Sequence, residues 1–139
     1  MSKSFDAQLD AKIEAVRTKH RAEQQAAQDK IAAAEQSRKE LEERAPAILS
    51  LIETTLRRQA ERRPETLEYL PQVAEPGMRT HVLRCKLLSR ERTLVMKVHY
   101  LHGLVEWSIA GKSGAQNKQE DLLAVDDAFL QSLILQLVD

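Results

Sequence analysis

The sequence predicts an α+β fold, in which a long N-terminal helix precedes a three-stranded antiparallel meander and a C-terminal helix packs on the sheet. Residues 4–44 contain no Gly or Pro and are rich in strong helix formers. Residues 79–110 alternate apolar and polar side chains, which is the pattern of strands with one buried face. From about Asp126 onward the chain is apolar around most of a helix that is too short to span a bilayer.

The first helix is expected to begin at Ser4, whose hydroxyl suits an N-cap. A stripe of apolar side chains follows it, and this stripe is a candidate helical interface: Leu9, Ile13, Val16, Ala27, Ile31, Ala34 and Leu41. Only one of the two heptad series that a coiled coil needs is apolar, so the seam is weak. Because a helix roughly 60 Å long exceeds the size of so small a domain, we expect residues 1–45 to project as a helix or weak coiled coil. A solvated single helix is the alternative.

Pro46 predicts a kink or a short break, because its ring clashes with the preceding helical turn. The helical pattern then resumes over residues 47–63 with a stronger apolar stripe and ends before Pro64. This second part is expected to cover the core of a small α+β head domain, residues 46–139. Four arginines near the helix end are consistent with either a favourable helix dipole or an anion-binding patch: Arg57, Arg58, Arg62 and Arg63.

Residues 64–78 contain three prolines and are predicted to form a connector, with one helical turn around Glu65–Tyr69. The meander is then built with tight turns at Arg90-Glu91 and at His102-Gly103. This register places Leu83 opposite Val98, and Val98 opposite Trp107. It collects ten side chains on one face that must be buried: Leu83, Cys85, Leu87, Leu94, Met96, Val98, Tyr100, Val105, Trp107 and Ile109.

The other face of the meander is predicted to be basic, since residues 79–112 contain seven Lys or Arg and only two acidic residues. The candidate anion or nucleic-acid contacts are Arg84, Lys86, Arg90, Arg92, Lys97 and His99, with Arg79 at a strand end. Such cations can contact phosphates. The face lacks exposed aromatic residues for stacking on bases. An antiparallel sheet with one solvated face is the alternative interpretation.

After the meander, the segment Gly111-Lys112-Ser113-Gly114 is expected to form a loop and residues 116–124 a short helix. Asp126 is a good N-cap for the last helix, and Val125 and Leu130 occupy the positions of a hydrophobic staple. Because this helix is apolar around most of its circumference, we expect it to be buried on two sides.

No catalytic, cofactor or metal signature has the required spacing. A phosphate-binding P-loop ending at Lys112-Ser113 would need Gly at position 106, where Glu106 stands. The pair His99 and His102 runs from a strand into a turn, so a metal site is not predicted, and His99 opposite Glu106 is interpreted as a polar cross-strand pair. The single Cys85 excludes an intrachain disulfide.

The sequence therefore favours a protein that is not an enzyme and uses no cofactor. Neither a signal peptide nor a membrane span is recognisable, so we expect a soluble cytoplasmic protein. The leading hypothesis is an interaction or assembly protein that forms a homodimer or binds a protein partner through helical surfaces. The alternative is a nucleic-acid-binding accessory protein that uses the basic sheet face.

Overall fold

The structure is a computed structural model that describes residues 4–112 and 117–139. Its elements, in chain order, are α1 (Phe5–Arg62), β1 (Leu67–Glu75), β2 (Met78–Leu87), β3 (Arg90–His99), β4 (Leu104–Ala110), β5 (Lys118–Asp121), a 3₁₀ turn (Leu122–Ala124) and α2 (Asp127–Val138). The strands form one antiparallel sheet in sequential order. The α+β class is confirmed, but the sheet has five strands where three were predicted. Within the described ranges no helix combines the length and apolarity that crossing a membrane requires.

Helix α1 begins as expected, with the Ser4 hydroxyl accepting a hydrogen bond from the Ala7 amide at 3.2 Å. It continues through Pro46 without a break. Proline cannot donate the usual backbone hydrogen bond, which weakens that turn. The residues that follow bury Ile48, Leu49 and Ile52 in the core, and this burial supports the helix on the C-terminal side of the proline.

The chain divides into two units, one up to Lys39 and the other from Glu40 to Asp139. The sequence placed the division after residue 45. The second unit begins earlier because Leu41 packs against the core and Ala45 is buried in it. Leu41 also lies close to the loop at Gly103, where an added Cβ would stand 3.3 Å from its methyl groups. Leu41 therefore belongs to the head domain.

Strands β1 and β5 were missed, because their residues were predicted as a connector and as a helix. Strand β1 pairs with β2, with Leu67 opposite Cys85, and carries an irregularity between Leu70 and Val73. Pro71 lies in that irregularity, and proline is tolerated in a strand at an edge or a bulge. Strand β5 has the sequence KQED, which has little intrinsic strand preference, and it forms by pairing with β4.

The predicted turns and registers of the meander are wrong, although all the residues predicted for the apolar face share one face of the strands except Tyr100, which lies in a loop. Leu87 pairs with Arg90, so the first turn is Leu88-Ser89 and Leu83 lies opposite Leu94. The second loop comprises residues 100–103, and Val98 lies opposite Val105. Both registers differ from the predicted ones by an even number of residues. Since side chains alternate with a period of two, the apolar side chains of the strands stay together on one face.

We call the face of the sheet that carries Leu83, Leu94 and Val98 the covered face, because it contributes to the hydrophobic core together with α1 and α2. Eight of the ten predicted face residues are buried, whereas Leu87 and Tyr100 are half-buried. Helix α2 lies against β2 and β3. Within the single chain α2 is buried on one side only, since Leu133 is 1% exposed but Leu135 is 70% exposed; whether another subunit covers the second side stays a prediction.

Both ends of α2 are capped by side chains. The Asp126 carboxylate accepts a hydrogen bond from the Phe129 amide at 2.8 Å, which confirms the predicted N-cap. At the other end, Lys112 Nζ donates to the Gln136 carbonyl and Arg90 donates to the Asp139 carbonyl, each at 3.2 Å. Cations at a helix C-terminus satisfy its free carbonyl groups and oppose its dipole. Arg90 and Lys112 therefore stabilise the fold.

Leu133 and Leu135 provide a matched pair that tests the one-sided packing of α2. We expect Leu133→Ala to lower the free energy of unfolding by about 2–5 kcal/mol, because it leaves a cavity in the core. Leu135→Ala should change it by less than about 1 kcal/mol. Urea unfolding followed by circular dichroism measures both. Equal losses would show that α2 does not present these faces as described.

Candidate interaction surfaces

The face opposite the covered face carries no buried side chain among the described residues, and we call it the open face. Four of the six predicted basic contacts lie on it: Arg84, Lys86, Lys97 and His99. Arg90 and Arg92 do not, because they stand four and two residues before Leu94 on the same strand and so belong to the covered face. The structure thus separates the predicted basic cluster into two groups on opposite sides of the sheet.

Carboxylates accompany the cations of the open face. Arg84 lies 3.4 Å from the Glu68 carboxylate and 3.5 Å from that of Glu91. Lys97 stands directly opposite Glu106 on the next strand. His99 lies 3.7 Å from Glu106, so the predicted contact is present, although the residue facing His99 is Leu104. Because opposite charges alternate, the open face offers no uniformly positive surface to a phosphate backbone.

The centre of the open face is apolar. Leu70 on β1 pairs with Val82 on β2, which in turn pairs with Val95 on β3. All three are half-buried by their neighbours in the sheet. Among the described strands no Phe, Tyr or Trp lies on this face, since Tyr69 and Trp107 belong to the covered face. The open face therefore lacks the aromatic platform on which unpaired bases stack.

A second surface is the apolar stripe on the part of α1 up to Lys39. Its large members are exposed by 40–73% of their surface: Phe5, Leu9, Ile13, Val16 and Ile31. Ala27 and Ala34 are exposed as well. Six of the seven predicted interface residues thus lie on this accessible helix, and the seventh, Leu41, contacts the head-domain core. Phe5, the most exposed of the large side chains, was absent from the predicted interface.

The spacing of the stripe explains why a heptad pattern fits it poorly. Phe5, Val16 and Ala27 are separated by 11 residues, as are Leu9, His20 and Ile31. An 11-residue repeat corresponds to 3.67 residues per turn, close to the natural period of the α-helix, whereas a heptad requires 3.5. The apolar side chains therefore follow a nearly straight line along the helix. The 11-residue interval between members of the stripe could have revealed this arrangement from the sequence.

A third feature is a buried polar pair inside the head domain. The Tyr69 hydroxyl and His81 Nδ1 are 2.8 Å apart, and the two rings are stacked. His81 is 1% exposed and its Nε2 has no hydrogen-bond partner among the described residues. It lies opposite the irregular part of β1 and on the covered face, two residues before Leu83. Because side chains alternate along a strand, the spacing of two residues from Leu83 could have placed His81 on the buried face from the sequence alone.

Burial governs the ionisation of this pair. The pKa of His81 is lowered to about 4, chiefly because burial desolvates the imidazole; Glu53 opposes this decrease and Arg79 contributes to it. Desolvation also raises the pKa of Tyr69, assisted by Glu53 and opposed by Arg57. Both side chains are thus neutral at pH 7.

In the described ranges no three His, Cys, Asp or Glu side chains are placed to hold a metal ion. Burial likewise raises the pKa of the Cys85 thiol.

His81 makes stability depend on pH in a defined window. In the unfolded chain the His81 imidazole binds a proton near pH 6.5, whereas in the folded chain it does so only near pH 4. The free energy of unfolding is therefore unaffected by the titration of His81 above pH 6.5. It decreases as the pH falls from 6.5 to about 4, by at most about 3 kcal/mol, because the unfolded chain then binds a proton that the folded chain does not. Urea unfolding at pH 7, 5.5 and 4.5 measures this loss.

The control for this prediction is a comparison of variants. His81→Gln should flatten the pH dependence of unfolding relative to the unmodified chain, because the titrating group is gone. His102→Gln, at an exposed loop position, should leave it unchanged. An identical pH dependence in the unmodified chain and in His81→Gln would disprove the role of the buried imidazole.

Comparison with known proteins identified no relative of this chain. No protein-family model, curated protein or solved structure matches the chain. Of the surfaces described above, the exposed helical stripe departs most from the surface of a solvated helix.

Proposed function

We propose that this chain is a non-enzymatic assembly protein that self-associates through the helical stripe up to Lys39. The observation that carries the proposal is the row of large exposed side chains at Phe5, Leu9, Ile13 and Val16. Single exposed apolar residues are ordinary, but a contiguous row along one helix face marks an interaction site. Burying one such side chain contributes roughly 1.5–3 kcal/mol, so four of them on each of two copies can hold a dimer.

The charge and size of the residues on this helix favour a second copy as the partner. Residues 4–39 contain seven Lys or Arg and six Asp or Glu, so two such helices do not repel each other strongly. A strongly charged partner would find no complementary field. Ala27 and Ala34 add small side chains to the stripe, which lets helix backbones approach closely.

Association through the sheet edges is the less favourable route. The outer strand β1 contains Pro71 within its irregular segment, and the outer strand β5 is only four residues long. Proline, bulges and short length are the features by which proteins prevent pairing of edge strands. Helical contact therefore remains the better-supported mode of assembly.

No specific observation on the described residues supports nucleic-acid binding through the sheet. The open face combines Arg84, Lys86 and Lys97 with the carboxylates of Glu68, Glu91 and Glu106, and Arg90 is engaged at the end of α2. A phosphate-binding surface concentrates cations without such neutralising partners. We therefore do not propose this second function.

The proposal predicts a dimer that depends on the stripe. Replacing Ile13 and Val16 together by Gln should weaken dimerisation at least about 100-fold, because each copy loses two buried apolar side chains. Sedimentation equilibrium of the full chain over a wide micromolar range measures the dissociation constant.

A matched control lies on the opposite face of the same helix. Ala11→Gln with Thr18→Gln adds comparable polar side chains about half a turn away from the stripe and should leave the dissociation constant unchanged. A monomeric unmodified chain at all concentrations would refute the proposal. Equal weakening by both pairs of substitutions would also refute it, since the effect would then come from helix stability.

A further inference from the structure

The head domain contains a groove of about 440 Å³ between α1 and the end of the sheet at the β3–β4 loop. Ala45 and Leu49 form an apolar floor, and Pro46 and Leu101 add apolar surface. Leu101 is 66% exposed, so this surface is accessible to a ligand. The volume is in the range of sites that take small molecules.

Three hydrogen-bond donors of the groove are unused within the described structure. The Tyr100 hydroxyl accepts a hydrogen bond from the Gly77 amide at 3.2 Å, so its own proton remains available. The guanidinium of the half-buried Arg79 donates to no acceptor in the described ranges, and neither does the hydroxyl of Ser50. These donors line one groove beside an apolar floor.

The acidic residues of the groove already have partners. Glu53 forms an ion pair with Arg57 one turn later on α1. Glu42 also interacts with another group of the protein. The carboxylates are thus engaged, whereas Arg79, Tyr100 and Ser50 still offer N–H and O–H groups. The described lining thus carries two carboxylates and one guanidinium, and its unused polar groups are the donors from which an oxyanion can accept hydrogen bonds.

We propose that this groove binds a carboxylate that carries a small apolar body. A guanidinium recognises a carboxylate with two parallel hydrogen bonds, and the Tyr100 hydroxyl supplies a further donor. The hydrocarbon part lies on Ala45 and Leu49. Two sources provide this chemistry: a free short-chain carboxylic acid, and the C-terminal carboxylate of a peptide that ends in an aliphatic residue. The inference is independent of self-association, since it concerns the head domain alone.

The probe for this site is sodium isovalerate, with isovaleramide as a control of the same shape without charge. In ¹H–¹⁵N correlation spectra of the full chain, isovalerate should shift the Gly77 amide, which contacts Tyr100, in a saturable manner at millimolar concentrations. Isovaleramide should cause no such saturable shift. No saturable shift up to about 20 mM, which corresponds to very weak affinity, or equal shifts with both compounds would overturn the proposal.

Substitutions locate the binding groups. Arg79→Gln should weaken isovalerate binding more than about tenfold, since hydrogen bonds to charged groups contribute most per contact. Tyr100→Phe should weaken it to a smaller extent and serves as the second test if Arg79→Gln does not fold. Arg62→Gln, an exposed arginine outside the groove, is the control and should bind as the unmodified chain does. Undiminished binding by folded Arg79→Gln would refute the assignment.

The source of the carboxylate is resolved by a second pair of probes. An acetylated tripeptide that ends in Leu with a free carboxylate is compared with its C-terminal amide. Binding of the free peptide that is at least about tenfold tighter than that of isovalerate indicates a peptide C-terminus as the natural ligand. Binding that is no tighter indicates a free acid. Equal binding of the peptide and its amide would contradict carboxylate recognition.

Discussion

The structure depends on keeping one face of a five-stranded sheet dry. Leu83, Leu94, Met96, Val98 and Val105 are almost completely inaccessible on that face. An antiparallel sheet can leave its other face in water, but a face this apolar requires cover. The second part of α1 and the buried side of α2 provide that cover. The same requirement explains why α1 continues through Pro46 and why α2 is capped at both ends.

The faces of the meander were predictable from the sequence, whereas its registers were not. Alternation fixes which side of a strand each residue occupies, so Leu83, Met96 and Val105 were placed correctly even with wrong turns. The turn at Leu88-Ser89 lacks the Gly or Asn that marks hairpins, although Leu88 adopts a positive φ of 58°. Strands β1 and β5 were missed because edge strands gain their structure from pairing more than from composition.

The candidate basic site shows the limit of counting charges along the chain. The sequence grouped Arg90 and Arg92 with Lys97, but strand parity separates them. Arg90 bonds the end of α2, and Arg92 stands opposite Cys85 on the covered face. The carboxylates that neutralise the open face come partly from β1, through Glu68, which was predicted to be a connector. A face whose neighbouring strand is unknown cannot be assigned a net charge. His81, by contrast, was assignable to the core by parity alone.

The two parts of α1 differ in what stabilises them. From Glu40 onward, Ile52 and Leu56 are 0–1% exposed, and tertiary burial supports the helix. Up to Lys39 the helix relies on Ala-rich composition and side-chain pairs such as Gln25 with Asp29, at 2.9 Å. Neither source of stability requires the exposed Phe5 or Val16, since polar helix formers would serve equally well. Helix formation alone does not account for the alignment of several large apolar side chains along one exposed face. The proposed self-association would bury that face against another helix.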